Sequence, residues 1–231
     1  MDGLTARRAM VKVIAFDVNE TLLDLRPLDL AFDRLGLGGL RAQWFAQMLQ
    51  ISFVGGLTGD YVDFSTAQKA ALSMLAERQG LTVTSQKVTE VVSLMSSLPA
   101  HPEVADALGR LRQSSLTLVA LTNSPGPIAE AQVTGSGIRG HFDAVISADS
   151  VKRLKPAPEP YLAVAKAFDV GIGEVRLVAA HWWDVSGALA AGCAAAFVAR
   201  PGMVLNPIGR RPDIIGADLS AVADRILAVD V

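Results

Sequence analysis

Apolar residues follow two different spacings along the chain. A short β-rich apolar run at 11–16 comes first and ends in the polar turn 17–21. From there to about residue 98, apolar positions recur at helical spacing, with a glycine-rich break at 36–39. We therefore predict one strand and then four helices, near 28–35, near 44–52, at 61–79 and at 84–97.

After the Pro-Ala-His-Pro stretch at 99–102, short apolar runs alternate with helical patterns. The predicted strands are 116–121, 144–147, 175–179 and 194–198. The predicted helices are 103–112, 127–136, 159–168, 185–191 and a last one from about 219. This alternation is typical of βαβ units. We predict an α/β fold in which a Rossmann-like parallel-sheet core (1–24 and 100–231), with helices on both faces, carries an inserted helical cap (25–99).

Composition narrows the possible partners. The 231 residues are 51% hydrophobic and 19% charged, with a net charge of −2, which argues against a nucleic-acid binder. Residues 1–10 hold no apolar stretch of signal-peptide length, and the apolar region 177–198 is interrupted by His181 and Asp184. The single cysteine, Cys193, is expected to be a buried hydrophobe. We expect a soluble, cytoplasmic protein with a small-molecule partner, no nucleic acid and no membrane.

Polar residues gather where the predicted strands end. They lie at 17–21, 122–124, 155–156 and 181–184, far apart in sequence. In an open parallel sheet, ligands bind outside the carboxyl ends of the strands. Singly, such residues are more often helix caps, turns or surface loops. Together they predict one site at one rim of the sheet.

The residue types at this rim suit nucleophilic catalysis by a carboxylate. Asp17 would attack the substrate, and Lys155 would hold its charge in place and lower its pKa. Asp184 would position or activate the water that hydrolyses the covalent intermediate. Contacts that orient the nucleophile or bind the leaving group are expected from Thr21, Thr122 and Asn123.

Four motifs carry a specific resemblance. Residues 17–24 (DVNETLLD), 121–124 (LTNS), 154–156 (LKP) and 179–184 (AAHWWD) resemble, in order and spacing, the motifs of the haloacid-dehalogenase-like superfamily. The helical insertion just after the first motif is similar to the cap of that superfamily. The resemblance covers the whole chain and implies that Asp17 is a covalent nucleophile.

Asn19 bears on the choice of subfamily. Most members of the superfamily are phosphatases, which carry at this position a second Asp that protonates the leaving alkoxide and later deprotonates water. An Asn can do neither. A halide is the base of a strong acid and leaves without a proton, so Asn19 favours dehalogenation. We expect the Asn19 amide to contact the substrate or the halide.

The cap also resembles that of the L-2-haloacid dehalogenases. Residues 44–50 (WFAQMLQ), followed by 59–64 (GDYVDF), are similar to it. Tyr161 stands six residues after Lys155 as in that subfamily, which implies that Tyr161 contacts the substrate or the halide. The resemblance implies that Asp17 attacks carbon 2 of a 2-haloacid and expels halide. Water then releases a 2-hydroxyacid from the ester, and neither step requires a metal.

The chain departs from the subfamily pattern in the site itself. Phe45 replaces an Arg that helps to bind halide and substrate, so other donors must serve, among them Asn123, Trp183 and its neighbour Trp182. Arg41 is a conceivable substitute for the Arg, although a solvated helix residue is the commoner case. A small apolar pocket lined by Phe45 and Phe64 would suit a short haloacid.

His181 and Ala179 replace an Asn and a Ser of the subfamily. His181 could be a general base for water, with Asp184 as its orienter, or a neutral imidazole that only hydrogen-bonds as Asn does. The sequence leaves both interpretations open.

Two other functions stay open at this point. One is an Mg²⁺-dependent phosphatase on the same fold; otherwise we expect no metal and no cofactor. The other is a catalytically silent binding protein that kept the scaffold. The resemblance, and nothing else in the sequence, implies a homodimer.

Overall fold

The computed structural model describes residues 10–231, so the expectation for the N-terminal segment falls almost wholly outside the described residues. Six strands form one parallel sheet in the order β3-β2-β1-β4-β5-β6. They are β1 (Val13–Phe16), β2 (Thr117–Thr122), β3 (Ala144–Ser147), β4 (Val175–Ala179), β5 (Ala194–Val198) and β6 (Ile214–Gly216). Every residue of β1 is buried, as expected for a strand with neighbours on both sides and helices on both faces.

Helices alone fill the long connection between β1 and β2. They are α1 (Asp29–Arg34), α2 (Arg41–Thr58), α3 (Phe64–Arg78) and α4 (Ser85–Ser93), with short 3-10 turns at Arg26–Leu28 and Leu94–Ser97. The predicted all-helical insertion is therefore present. The prediction placed the third helix at 61–79, but α3 begins at Phe64 because the Asp63 side chain accepts hydrogen bonds from the backbone N–H groups of Ser65 and Thr66. Trp44 ties α2 to α3 by donating its indole N–H to the Gln68 carbonyl at 2.9 Å.

Five further helices cover the two faces of the sheet. They are α5 (Val104–Leu111), α6 (Gly126–Gly135), α7 (Pro158–Ala167), α8 (Trp182–Ala191) and α9 (Leu219–Val229). Ile14 and Phe16 of β1 share one apolar cluster with residues of α5, α6 and α9. Val13 and Ala15 point the other way, into a cluster with residues of α7 and α8. The alternation of side chains along one strand thus produces a three-layer α/β fold, as predicted.

One strand and a further helix start also differ from the prediction. Strand β6 was missed because its three residues, Ile-Ile-Gly, are too few to show a period. Helix α8 begins at Trp182, three residues before the predicted start, and so carries Asp184 in its first turn. In the part of the chain that the structure describes, no helix is long and apolar enough to cross a bilayer.

Candidate active site

Three charged side chains from distant parts of the chain meet at the carboxyl end of the sheet. Asp17 follows β1 directly, Asp184 lies in the first turn of α8, and Lys155 lies in the loop before α7. The Nζ atom of Lys155 is 2.8 Å from Oδ1 of Asp17 and 2.6 Å from Oδ2 of Asp184. The topology therefore brings together the nucleophile, ammonium and second carboxylate that the sequence predicted.

Asp17 is held as a carboxylate by three donors. Oδ1 faces Lys155, while Oδ2 accepts the Thr21 hydroxyl at 2.7 Å and lies 3.1 Å from Nδ1 of His181. Burial by itself would raise the pKa of Asp17, but the charges and hydrogen bonds of Lys155 and His181 outweigh it and hold that pKa well below its usual value. The side chain is thus held in its ionised form.

Lys155 is completely buried and donates to three acceptors, the third being the Leu121 carbonyl at 2.9 Å. Burial would lower its pKa, yet the charges of Asp17 and Asp184 raise it overall. Gly187 lets α8 lie close to the loop that carries Lys155. A Cβ atom at position 187 would stand 2.5 Å from Cβ of Pro156, so a larger residue would push this loop away.

Asp184 is enclosed by its partners. Oδ2 accepts from Lys155, and Oδ1 accepts the Tyr161 hydroxyl at 2.5 Å. Its side chain has no exposed surface. Burial raises the pKa of Asp184, and the attraction of Lys155 only partly offsets this effect. Tyr161, expected near the substrate, instead fixes Asp184.

His181 does not use Asp184 as its orienter, which corrects the prediction. Its ring lies between two other carboxylates, with Nδ1 facing Asp17 and Nε2 3.0 Å from Oε2 of Glu20. Asp184 lies on the helix that His181 caps, and its oxygens are already taken by Lys155 and Tyr161.

Glu20 is the functional residue that the sequence interpretation missed. It stands in the singled-out turn 17–21 and has a left-handed backbone, with φ of 60°, a conformation that is uncommon for a residue other than Gly. Its carboxylate meets His181 through Oε2 and Nη1 of Arg41 through Oε1 at 3.3 Å. A charged residue inside a catalytic turn was the one available signal.

The three predicted amide and hydroxyl ligands are engaged with the protein. Asn123 exchanges two hydrogen bonds with the backbone of Lys155, at 2.8 and 3.1 Å. Thr122 accepts the backbone N–H of Ser124 at 3.1 Å. Asn19 donates to the Ser124 hydroxyl and accepts from Gln132, so its amide belongs to a buried network. These contacts make the three residues supports of the site.

A second support comes from the segment that follows β5. Arg200 is only 8% exposed and donates twice to the Thr21 carbonyl, at 2.7 and 3.1 Å. Its Nη1 pairs with Glu103 at 2.7 Å. Arg200 therefore fixes the turn that carries Asp17 and Glu20.

A cavity of about 440 Å³ opens beside His181. Phe45 stacks on the imidazole at 5.3 Å between ring centroids, and Trp183 stacks on it at 5.1 Å. The Trp183 indole N–H is buried and has no hydrogen-bond partner among the described residues. Phe64 was expected to line this pocket with Phe45, but it lies outside the lining, buried at the start of α3. Arg41 reaches the lining while paired with Asp29 and Glu20.

The acidic groups do not suit a divalent cation. In residues 10–231 no group of three or more His, Cys, Asp or Glu side chains is arranged to hold a metal ion. Each side-chain oxygen of Asp17 and Asp184 already faces a donor from Lys155, Thr21, His181 or Tyr161. The Mg²⁺ that a phosphatase would require therefore does not fit this arrangement.

Comparison with known proteins identifies the family. The model of the haloacid dehalogenase-like hydrolases matches residues 11–192. The chain belongs to this family. The resemblance to the superfamily and the predicted α/β fold are thereby confirmed. Similar curated proteins and solved structures align with most of the length of this chain.

Among the curated members, haloacetate dehalogenase H-2 of Moraxella sp. (strain B) is 28% identical over 219 residues, which cover 94% of this chain and 98% of that protein. The (S)-2-haloacid dehalogenase of Xanthobacter autotrophicus is 31% identical, over 83% of this chain and 76% of that protein. The structure of L-2-haloacid dehalogenase from Xanthobacter autotrophicus with chloropropionic acid covalently bound is 26% identical. It superimposes with a TM-score of 0.86, covering 95% of this chain and 99% of that one.

Proposed function

We propose that this protein is a hydrolytic dehalogenase that converts short 2-haloacids to 2-hydroxyacids and halide through an ester on Asp17. The observation that carries the proposal is the pairing of Asp17 with Lys155 at 2.8 Å in a site whose position 19 holds an Asn. The first feature gives a nucleophile, and the second removes the proton donor that a phosphoester would need.

Alkylation needs no proton. Oδ of Asp17 attacks carbon 2, the new C–O bond forms as the carbon–halogen bond breaks, and the halide leaves with the electron pair. Lys155 and Thr21 hold the carboxylate in the orientation for attack. Water then attacks the carboxyl carbon of Asp17 and releases the 2-hydroxyacid.

Trp183 is our candidate for the halide contact. Its buried, unpartnered indole N–H is costly to leave unsatisfied, and a halide beside it would accept this hydrogen bond. Phe45 adds an apolar wall in place of a cation. Such a cavity suits a substrate with a small carbon skeleton.

The named activities of relatives support the same substrate class. The curated relatives described above are a haloacetate dehalogenase and an (S)-2-haloacid dehalogenase, and one solved structure holds covalently bound chloropropionic acid. We further propose that residues 25–99 act as a cap over a core formed by 1–24 and 100–231. The protein would work in the cytoplasm without metal or cofactor, and a homodimer stays a prediction.

Halide release in the presence of EDTA tests the proposal. We expect chloride from chloroacetate and L-2-chloropropionate, with fluoroacetate as a harder substrate, and no release by Asp17→Asn. Asp24→Asn is the matched control, because Asp24 lies in the same motif but pairs with Arg26. Mg²⁺-dependent phosphate release from phosphoesters, without halide release, would establish the phosphatase alternative instead.

A further inference from the structure

The surroundings of His181 assign it a proton in the resting site. Nδ1 lies 3.1 Å from Asp17 and Nε2 lies 3.0 Å from Glu20, so each ring nitrogen faces a carboxylate oxygen. Carboxylates that are ionised only accept hydrogen bonds. Both contacts are satisfied together only when both nitrogens carry hydrogen, which is the imidazolium form.

The electrostatics agree with this geometry. Burial would lower the pKa of His181, but the hydrogen bonds and charges of Asp17 and Glu20 raise it to about 9. Glu20 and Arg41 are the titratable neighbours in the cavity lining, and Arg41 contacts His181 only through Glu20. Lys155 contacts Oδ1 of Asp17, whereas His181 contacts Oδ2 of the same carboxylate. Phe45 and Trp183, which cover the ring faces, carry no charge.

An imidazolium has no lone pair with which to accept a proton from water. Asp184 is also badly placed for that task, since Lys155 and Tyr161 occupy its two oxygens. The hydrolytic step therefore needs a base that the resting site does not display. Nδ1 of His181 is the ring nitrogen that faces the carboxyl group that water must attack, 3.1 Å from Oδ2 of Asp17.

We propose that alkylation of Asp17 switches His181 from a protonated partner of the nucleophile to the base that activates the hydrolytic water, with Glu20 as its positioning residue. The inference rests on the proposed dehalogenase function. An ester at Asp17 carries no charge, so His181 loses one of its two anionic partners at the moment when a base is required. Glu20 keeps the Nε2–H bond and leaves the lone pair of Nδ1 toward Asp17, as the third member of a catalytic triad does.

The proton balance closes over one turnover. Alkylation converts the Asp17 carboxylate and the haloacid to ester and halide, and His181 then releases one proton to solvent. In hydrolysis, His181 takes a proton from water as the oxygen attacks the Asp17 carboxyl carbon. The ester C–O bond breaks, the second water proton passes to the departing hydroxyacid oxygen, and Asp17 returns as a carboxylate beside protonated His181. The single acid equivalent of the reaction thus appears with the halide and not with the hydroxyacid.

Two variants and a control test the switch with chloroacetate in the pre-steady state. His181→Asn removes the base, Glu20→Gln removes its anionic partner, and Asp29→Asn removes the other partner of Arg41 without touching His181. We expect both site variants to give one halide per active site and then to accumulate the Asp17 adduct, seen by intact-protein mass spectrometry. Adduct hydrolysis should slow by about 10²- to 10⁴-fold in His181→Asn. Glu20→Gln should slow it by a smaller factor, and Asp29→Asn should not accumulate adduct.

A pH indicator gives the second readout, which a purely structural role of His181 would not move. In the unsubstituted enzyme, proton release to solvent should coincide with halide release. In His181→Asn, proton release should come later, together with release of the hydroxyacid. The proposal is overturned if His181→Asn hydrolyses its adduct at the normal rate or if both site variants lose the halide burst. It is also overturned if proton release by the unsubstituted enzyme lags behind halide release. Absence of halide release by the unsubstituted enzyme would instead refute the dehalogenase function itself.

Discussion

Replacing Lys155 by Met would leave two buried carboxylates without their shared cation. Lys155 has no exposed side-chain surface and contacts Asp17 and Asp184 at 2.8 and 2.6 Å. Met is also a long unbranched side chain, so the change removes charge and hydrogen bonds more than volume. Removal of one partner from a buried ion pair costs about 3–5 kcal/mol. We expect the free energy of unfolding at pH 7 to fall by about that amount.

The loss should depend on pH in a definite direction. In the normal protein the pKa of Asp17 is lowered, so its ionisation stabilises the fold above the unfolded value of 3.8 and that stability is lost in acid. Without Lys155, Asp17 loses one of the charges that lower its pKa, and the pKa of Asp184, which burial already raises, rises further. A raised carboxyl pKa favours the folded state below the unfolded pKa and disfavours it as pH rises through the folded pKa. The deficit of the variant should therefore shrink as pH falls from 7 toward 4.

Urea unfolding of both proteins across this pH range measures the effect. Lys152→Met is the matched control, since Lys152 is 65% exposed and pairs with Asp149 at the surface. It should change stability by no more than about 1 kcal/mol. A Lys155→Met deficit that is the same at every pH would refute the reasoning, because it would report lost packing and not an unpaired charge.

One titration and two substitutions probe the site and its support. The imidazole of His181 should titrate near pH 9 by NMR, and its contribution to stability should be lost as pH rises from 6.5 through 9. A pKa near 6.5 would contradict the pairing of His181 with the carboxylates of Asp17 and Glu20. Asn19→Asp should lower the free energy of unfolding by about 1–3 kcal/mol, since the amide donor to Ser124 disappears, and unchanged stability in urea would show that the network matters little. Arg176→Met, which strips a buried guanidinium from Asp230 and Asp213, should cost about 3–5 kcal/mol by the same assay, and a smaller loss would show that the chain end is held by packing.

The sequence was informative where its signal repeats or where a motif spans several residues. Apolar runs with β-rich composition located five of the six described strands, and the alternation with helices predicted the parallel sheet. The motifs identified Asp17, Lys155 and Asp184, and these residues could be predicted to meet because the carboxyl ends of parallel strands lie at one edge of the sheet. Strand β6 escaped because three residues display no period.

Side-chain direction was the part that sequence could not supply. Asn123 and Tyr161 stand where the motifs place them, yet the structure turns Asn123 to the backbone of Lys155 and Tyr161 to Asp184. Glu20 needed a left-handed backbone to reach His181, and one-dimensional patterns do not reveal that conformation. Phe64 has an aromatic side chain of the kind that lines pockets, but at the start of α3 this side chain is buried in the core.

The central claim is that Asp17 becomes esterified and is then attacked by water at its carboxyl carbon. A single turnover of L-2-chloropropionate with excess enzyme in ¹⁸O-labelled water tests this most directly, with mass analysis of the Asp17 peptide and of the product. The account predicts one heavy oxygen in Asp17 and none in the hydroxyacid. Heavy oxygen in the hydroxyacid with none in Asp17 would mean that water attacked the substrate directly, and it would contradict the account.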